Sequence, residues 1–219
     1  MKSKGRLDYP GALQHVIGRG IERRAIFSDD GDRRDFLKRL AALLGESKAR
    51  CHAWALMPNH YHLLMETGTI PLGHFMQNLL TGYSVGFNIK HKRTGHLFQG
   101  RFKSYLIQKE KYFQDAVRYI HLNPLKAGIV ASLKALESYA WTGHAVLLGR
   151  QKAAWQETED LLEQFGGGRR GREAYLEFVR EGAISKGLEV IGPYEALWRS
   201  GKKKLAVRKN RRNEAPAPW

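Results

Sequence analysis

Two histidines separated by one residue are the feature of this sequence that most directly suggests chemistry. His60, Tyr61 and His62 lie in the segment Met57–Leu64, which has the apolar character of a buried strand. Because side chains alternate along a strand, both histidines point to one face of the sheet and Tyr61 points to the other. Imidazole is the commonest metal ligand in proteins. The pair is therefore a candidate site for one metal ion.

A tyrosine and an asparagine further along the chain offer a partner for such an ion. Tyr119 and Asn123 lie one helical turn apart in a predicted helix, roughly 40° apart around its axis, so they share a face. A tyrosine hydroxyl is a poor nucleophile at neutral pH because its pKa is about 10. A divalent cation compensates by polarising a phosphate and stabilising the leaving oxygen. These residues together indicate transfer of a phosphodiester to tyrosine, which would conserve the bond energy for rejoining.

The elements that must position these groups follow a recognisable order. The hydrophobic patterns predict strands over 12–17, 50–57, 60–65 and 104–108, and helices over 29–44, 72–90 and 110–123. Proline is expected to end the last helix at Asn123–Pro124. The order β-α-β-β-α-β-α is that of an α+β ferredoxin-like sandwich, with an antiparallel sheet and helices on one face.

The character of the sequence changes after residue 148. We predict a catalytic domain over residues 1–148 and a mostly helical extension with a basic tail over residues 149–219. Within the extension, helices are expected over 155–165 and 173–180, separated by three glycines.

The composition restricts the partners and the compartment. The chain has 219 residues, a net charge of +16 and a pI of about 10.1, which favours a polyanionic partner such as nucleic acid. Its one cysteine, Cys51, excludes an internal disulfide and a cysteine-rich zinc site. The sequence shows neither a signal peptide nor an apolar stretch long enough to span a membrane. It therefore predicts a cytoplasmic, nucleoid-associated protein with no membrane partner.

Residues in three segments, most of them basic, are candidates for binding DNA. Those after the first strand would either grip phosphates or form a solvated loop, whereas the central loop mixes charge with aromatic rings, as single-strand binding requires. In complex, the basic tail would either fold onto the DNA backbone or enter a groove. The candidates are Arg19, Arg23, Arg24, Gln99, Arg101, Phe102, Lys103, Lys202, Lys203, Lys204, Arg208, Lys209, Arg211 and Arg212.

These motifs, with the segments 96–102 and 123–128, resemble those of the IS200-like single-tyrosine (Y1) transposases, a family of His-hydrophobe-His (HUH) nucleases. Within it the chain most resembles the REP-associated tyrosine transposases (RAYTs) of bacteria, and the resemblance covers residues 11–141. It implies that His60, His62 and Asn123 bind Mg²⁺ or Mn²⁺. It also implies that Tyr119 forms a 5′-phosphotyrosine with single-stranded DNA hairpins. Tyr61 departs from the family pattern, which more often has an aliphatic residue there.

Several alternatives stay open at this point. The chain could be a domesticated DNA-hairpin-binding protein that no longer cuts, or a metal-dependent phosphohydrolase that uses water. The absence of an aspartate-rich cluster beside the histidines disfavours the second. His121 is expected to be structural or close to DNA, while His15 and His52 either pack or line the sheet near the metal. The protein would be either a monomer or a homodimer with exchanged active sites.

Overall fold

The computed structural model describes residues 8–184, which form a four-stranded antiparallel sheet covered by helices. The strand order is β2-β3-β1-β4, and this arrangement confirms the predicted ferredoxin-like α+β sandwich. The candidate DNA-binding residues of the basic tail, from Lys202 to Arg212, lie outside the described residues. The elements are β1 (Leu13–Arg19), a 3₁₀ turn (Ile21–Arg23), α1 (Asp30–Ser47), β2 (Arg50–Met57), β3 (His60–Glu66), α2 (Leu72–Lys90), β4 (Lys103–Leu106), α3 (Lys109–Lys126), α4 (Leu133–Leu136), α5 (His144–Leu147), α6 (Glu159–Gln164) and α7 (Gly168–Ile184).

The sheet register decides which side chains share a face. β2 and β3 form the predicted hairpin, and β1 lies between β3 and β4. Across the β1–β3 pair, Ile17 is opposite His62 and Arg19 is opposite His60. Directly opposed residues of an antiparallel pair project to the same face. The alternate residues of β1 therefore join the histidine pair on one side of the sheet.

The two long helices α1 and α2 cover the other side. Phe36 of α1 and Tyr83 of α2 are fully buried there and contact each other edge to face. Tyr61 packs in the same core with its ring 5.1 Å from that of Phe36. Burial of these large rings stabilises this face of the sheet. It also fixes β3 so that the histidines face away from α1 and α2.

α3 packs on the histidine side of the sheet, so helices cover both faces, and the prediction that they lie on one face holds only for α1 and α2. Phe113, Val117 and Ile120 form its buried stripe, as their helical spacing predicts. Tyr119 lies at the border of this stripe and is half-buried. The helix therefore presents Tyr119 next to the sheet face that carries the histidines.

The predicted end of α3 at Asn123–Pro124 is wrong, because the helix continues to Lys126 with Pro124 inside it. Proline lacks the N–H that would bond to the carbonyl four residues earlier, which is that of Ile120. The side-chain amide of Asn123 donates to the Tyr119 carbonyl at 2.8 Å and approaches the Ile120 carbonyl at 3.4 Å. The longer of these contacts gives the orphaned Ile120 carbonyl a donor within the helix.

The C-terminal helices pack against α3. Leu161 of α6 and Tyr175 and Val179 of α7 are buried in the same core as the α3 stripe. The predicted helix over 155–165 corresponds to the shorter α6, and the one over 173–180 lies within the longer α7. A boundary at residue 148 stays a prediction. Among residues 8–184, no helix has the length and apolarity that crossing a bilayer requires.

Candidate active site

The two histidines lie side by side at the start of β3. Their ring centres are 5.1 Å apart, His62 is buried and His60 is partly exposed. Tyr61 between them points into the opposite core, as strand alternation predicts. The strand therefore presents two imidazoles to one point on the sheet face.

A hydrogen-bond relay orients the ring of His60. Its Nδ1 lies 2.7 Å from Oδ1 of Asn59, which can only accept, so Nδ1 carries the proton. The Asn59 side-chain amide in turn donates to the carbonyl of Arg23 at 3.0 Å, which fixes the orientation of the amide. Nε2 of His60 is left with the lone pair that a metal ion needs.

A third histidine, His15 of β1, supports the ring of His62. Its Nε2 lies 2.9 Å from Nδ1 of His62, and the two rings stack with centres 5.2 Å apart. His15 also contacts the ring of Tyr119 edge to face, with centres 5.9 Å apart. Of the two roles open for His15, the structure places it on the sheet face beside the histidine pair.

All three imidazoles are held in the neutral form at pH 7. Burial lowers the pKa of His15 to about 3. Burial, followed by the positive charge of Arg19, lowers the pKa of His60 to about 4. Burial also takes the pKa of His62 well below its usual value, and its neighbours His15 and His60 lower it further. Neutral imidazole is the form that binds metal, so the donor set suits a divalent cation.

Tyr119 lies against these histidines. Its ring centre is 6.0 Å from that of His62. The ammonium of Lys126, two turns later on α3, lies 5.3 Å from the centre of the Tyr119 ring. The structure thus brings together the predicted nucleophile, the predicted ligand pair and a cation.

Asn123 points back to its own helix through its side-chain nitrogen, which bonds to the Tyr119 carbonyl. This bond leaves Oδ1, the predicted ligand atom, to act as an acceptor. The assignment of Asn123 as third metal ligand remains a prediction.

Four of the residues predicted to bind DNA line one cavity of about 380 Å³. They are joined there by Ile17, which is opposite both His62 and Lys103 in the sheet, so the cavity borders the histidine site. Tyr105 offers an aromatic wall. The four residues are Arg19, Gln99, Arg101 and Lys103.

Three other candidates from the same segments lie elsewhere. Phe102 is only 7% exposed and packs in the core beneath α1 and α2, so the expectation that its ring stacks on DNA is wrong. Alternation explains this, because its neighbours Arg101 and Lys103 face solvent. Arg23 and Arg24 are exposed in the 3₁₀ turn region, and Arg24 pairs with Glu22 at 2.9 Å.

His52 and His121 have structural partners. His52 is buried, lies 3.3 Å from Glu66 and contacts the ring of Phe113. His121 is also buried, and its Nδ1 lies 2.8 Å from the hydroxyl of Tyr175. Of the two readings given for His121, the structure supports the structural one.

Among the described residues, two groups of histidine nitrogens and carboxylate oxygens away from this site are close enough together to hold a metal ion. In the first, Lys90 already binds both aspartates at 2.7 Å. In the second, Arg50 and Lys109 bind the carboxylates. A cation is therefore supplied in each case by a side chain, and both groups act as ion networks that tie elements together. The groups are Asp29, Asp32 and His91, and His52, Glu66 and Asp160.

One family model and two of the solved structures are similar to this chain. The family model described as IS200-like transposase matches residues 10–123, more than half of the chain. A REP-associated tyrosine transposase, solved bound to a REP hairpin, is 16% identical with a TM-score of 0.56; the match covers 72% of this chain and 98% of that chain. A structure described as a candidate transposase from Deinococcus radiodurans R1 is 20% identical with a TM-score of 0.37, covering 51% and 91%. No curated protein matches the chain. At 16% identity, the first likeness shows a shared fold.

Proposed function

Since the chain belongs to the IS200-like transposase family, we propose that it is a metal-dependent enzyme that nicks and joins single-stranded DNA through Tyr119. The observation that carries the proposal is the position of Tyr119. Its ring lies 6.0 Å from that of His62, on the sheet face that carries two neutral imidazoles with adjacent ring centres. A tyrosine that only packed against the sheet would not need two neutral imidazoles beside its ring.

The proposed reaction is a transfer of a phosphodiester to the phenol oxygen. Tyr119 gives up its phenolic proton to solvent, its oxygen bonds to phosphorus, and the bond from phosphorus to the 3′ oxygen breaks. The leaving oxygen gains a proton and departs as a 3′ hydroxyl. The 5′ side stays on Tyr119 as a phosphotyrosine, from which the reverse attack by a 3′ hydroxyl rejoins the strand.

His60 and His62 would hold the metal ion through their Nε2 atoms, and the amide oxygen of Asn123 would complete the protein ligands. When bound, Mg²⁺ or Mn²⁺ supplies Lewis-acid polarisation of the phosphate. Both ions accept nitrogen and oxygen ligands and leave positions for substrate. Asn59 fixes the proton of His60 on Nδ1. This orients the ligand before any ion arrives.

The proposed substrate is a DNA hairpin with a single-stranded flank. The cavity bordered by Arg19, Arg101 and Lys103 has the positive charge that a phosphate backbone needs. Gln99 adds an amide that can read a base edge, and Tyr105 adds a surface on which a base can stack. A hairpin is also what the REP-associated neighbour binds. The basic tail would add phosphate contacts.

Covalent attachment to labelled hairpins tests the proposal. Because the 5′ phosphate stays on the protein, a label at the 3′ end of the DNA should become covalently attached to the protein. A label at the 5′ end should instead leave on a shorter oligonucleotide. Tyr119→Phe should abolish attachment while hairpin binding persists. Tyr112→Phe, two turns earlier on the same helix and also half-buried, is the matched control and should still form the adduct.

The same assay distinguishes the alternatives. Attachment should disappear in chelator and in His60→Ala or His62→Ala, and Mn²⁺ should restore it only in the wild type. Hairpin binding with no adduct under any condition would indicate a non-cleaving binding protein. Cleavage that persists in Tyr119→Phe would indicate a phosphohydrolase that uses water. Mixing Tyr119→Phe with His60→Ala protein would restore attachment only if two subunits exchange active sites, which separates a dimer of that kind from a monomer.

A further inference from the structure

We propose that His15 is a positioning residue that holds His62 in the tautomer able to bind metal. The inference rests on the proposed metal site and adds a group that neither the sequence motifs nor the comparisons assign. His15 lies on β1, 47 positions before His62, and is only 1% exposed. Its Nε2 is 2.9 Å from the Nδ1 of His62.

The direction of this hydrogen bond decides whether His62 can act as a ligand. A neutral imidazole has one protonated nitrogen and one lone pair. If Nδ1 of His62 donates to His15, Nε2 of His62 keeps its lone pair for an ion. If His15 donates instead, the proton of His62 moves to Nε2 and blocks coordination. His15 must therefore act as the acceptor in the working site.

The surroundings of His15 hold its ring in place for this role. The sheet places it between Leu64 of β3 and Tyr105 of β4. Its ring stacks on that of His62 with only 23° between the planes, and it meets Tyr119 edge to face. The ring is thus fixed by the same sheet that carries the ligand and by the helix that carries the nucleophile. His15 thus anchors Nδ1 of the proposed ligand His62 in the same way that Asn59 anchors Nδ1 of the proposed ligand His60.

Two substitutions test whether His15 acts as a hydrogen-bond acceptor or only fills space. His15→Leu keeps a side chain of similar size but removes the acceptor, whereas His15→Gln keeps an oxygen that can accept from His62. Mn²⁺ affinity, measured by the electron paramagnetic resonance of free ion, needs neither DNA nor turnover. We expect His15→Leu to bind Mn²⁺ roughly 10- to 100-fold more weakly than the wild type, as when other groups that support a ligand are lost. His15→Gln should stay within about threefold.

The tautomer of His62 gives a second readout. Long-range ¹H–¹⁵N NMR of the imidazole rings reports which nitrogen is protonated in the metal-free protein. We expect a proton on Nδ1 of His62 in the wild type and in His15→Gln, and the two tautomers mixed in His15→Leu. If His15→Leu does not fold, the wild type and His15→Gln still decide the matter, because a proton on Nε2 of His62 in both would overturn the inference.

The outcomes distinguish this inference from the metal site itself. Equal Mn²⁺ binding by wild type and His60→Ala would remove the proposed site, and His15 with it. Lost binding in His60→Ala but wild-type affinity in folded His15→Leu would overturn only the role of His15. An equal loss in the Leu and Gln variants would show that ring packing matters and hydrogen-bond acceptance does not, which also contradicts the inference.

Discussion

The hydroxyl of Tyr61 is buried without a hydrogen-bond partner among the described residues. An unpaired buried hydroxyl carries a desolvation cost of about 1–3 kcal/mol. Tyr61→Phe should therefore raise the free energy of unfolding by ~1 kcal/mol, measured by urea denaturation. DNA attachment should be unchanged, because the side chain faces away from the histidines. A loss of stability would mean that the hydroxyl has a favourable role that its surroundings do not show.

Lys126 is a charged residue positioned to influence Tyr119, the proposed nucleophile, directly. Its ammonium lies over the Tyr119 ring, and desolvation of the ammonium, followed by the charge of Arg118, lowers the pKa of this exposed lysine. A cation here favours negative charge that develops on the phenol or on an incoming phosphate. Lys126→Met should slow covalent attachment by roughly 10- to 100-fold. The slowing should appear in single-turnover rates at saturating hairpin.

The matched variant Lys126→Arg keeps the charge and should retain most of the rate. Mn²⁺ affinity should be unchanged in both variants, because Lys126 does not contact the histidines in the described structure. An unchanged rate in Lys126→Met would mean that the lysine is a surface residue of α3 with no effect on covalent attachment.

Residue types and spacing predicted that the histidine pair and Tyr119 would lie together, and the structure brings their rings within about 6 Å of each other. The groups that orient them were harder to assign. The contact of His15 with His62 depends on the register of β1 against β3, which joins positions 47 apart. The burial of Phe102 depends on how a loop enters β4. Such details arise from tertiary packing, which the local sequence pattern does not specify.

At the scale of elements, one buried hydroxyl on α7 bonds to side chains of both α3 and α5. Tyr175 on α7 bonds to Nδ1 of His121 on α3 and to Nδ1 of His144 on α5, each at 2.8 Å. Removing the hydroxyl leaves two buried nitrogens without that partner. Tyr175→Phe should lower the free energy of unfolding by about 1–3 kcal/mol, measured by urea denaturation.

A control for this change is Tyr139→Phe, which removes a hydroxyl from a half-buried tyrosine in the same core. It should cost less than Tyr175→Phe, because water can still reach the groups around it. Equal effects of the two variants would contradict the view that the hydroxyl of Tyr175 holds α7 against α3.

The long elements were the most predictable part of the fold, because each has strong periodicity and clear ends. The four strands and three long helices lie within a few residues of their predicted positions. The short helices α4 and α5 were not predicted, since four residues show no period. The predicted end of α3 was wrong. The rule for proline does not consider neighbouring side chains, and here the side-chain amide of Asn123 reaches the Ile120 carbonyl that proline leaves without a backbone donor.

For the whole molecule, the basic composition and the motif order pointed to the family before the fold was known. The family model over residues 10–123 confirms that resemblance. Composition says little about where the charge lies. The cavity next to the histidines collects basic residues from β1, β4 and the loop before β4, and only the folded sheet brings them together.

The buried histidines predict how stability of the whole molecule depends on pH. Burial lowers the pKa of His144 from 6.5 to about 4 and takes that of His121 well below its usual value. His15, His60 and His62 shift the same way. Between about pH 6.5 and 4 the unfolded chain therefore binds more protons than the folded one, so stability falls as pH falls through that window.

Chemical denaturation at several pH values measures this dependence. His144 alone should lower the free energy of unfolding by ~3 kcal/mol between pH 7 and pH 4, since one pKa unit corresponds to about 1.4 kcal/mol. His144→Gln keeps a partner for Tyr175 but cannot titrate, so its stability should fall less steeply between pH 6 and 4.5. The paired carboxylates, such as Glu66, also have lowered pKa values, but their stabilising contribution is lost only below about pH 4.5, so the comparison between pH 6 and 4.5 reports mainly on the histidines. A wild-type stability that stayed flat from pH 7 to pH 5 would mean that these histidines are not buried in neutral form.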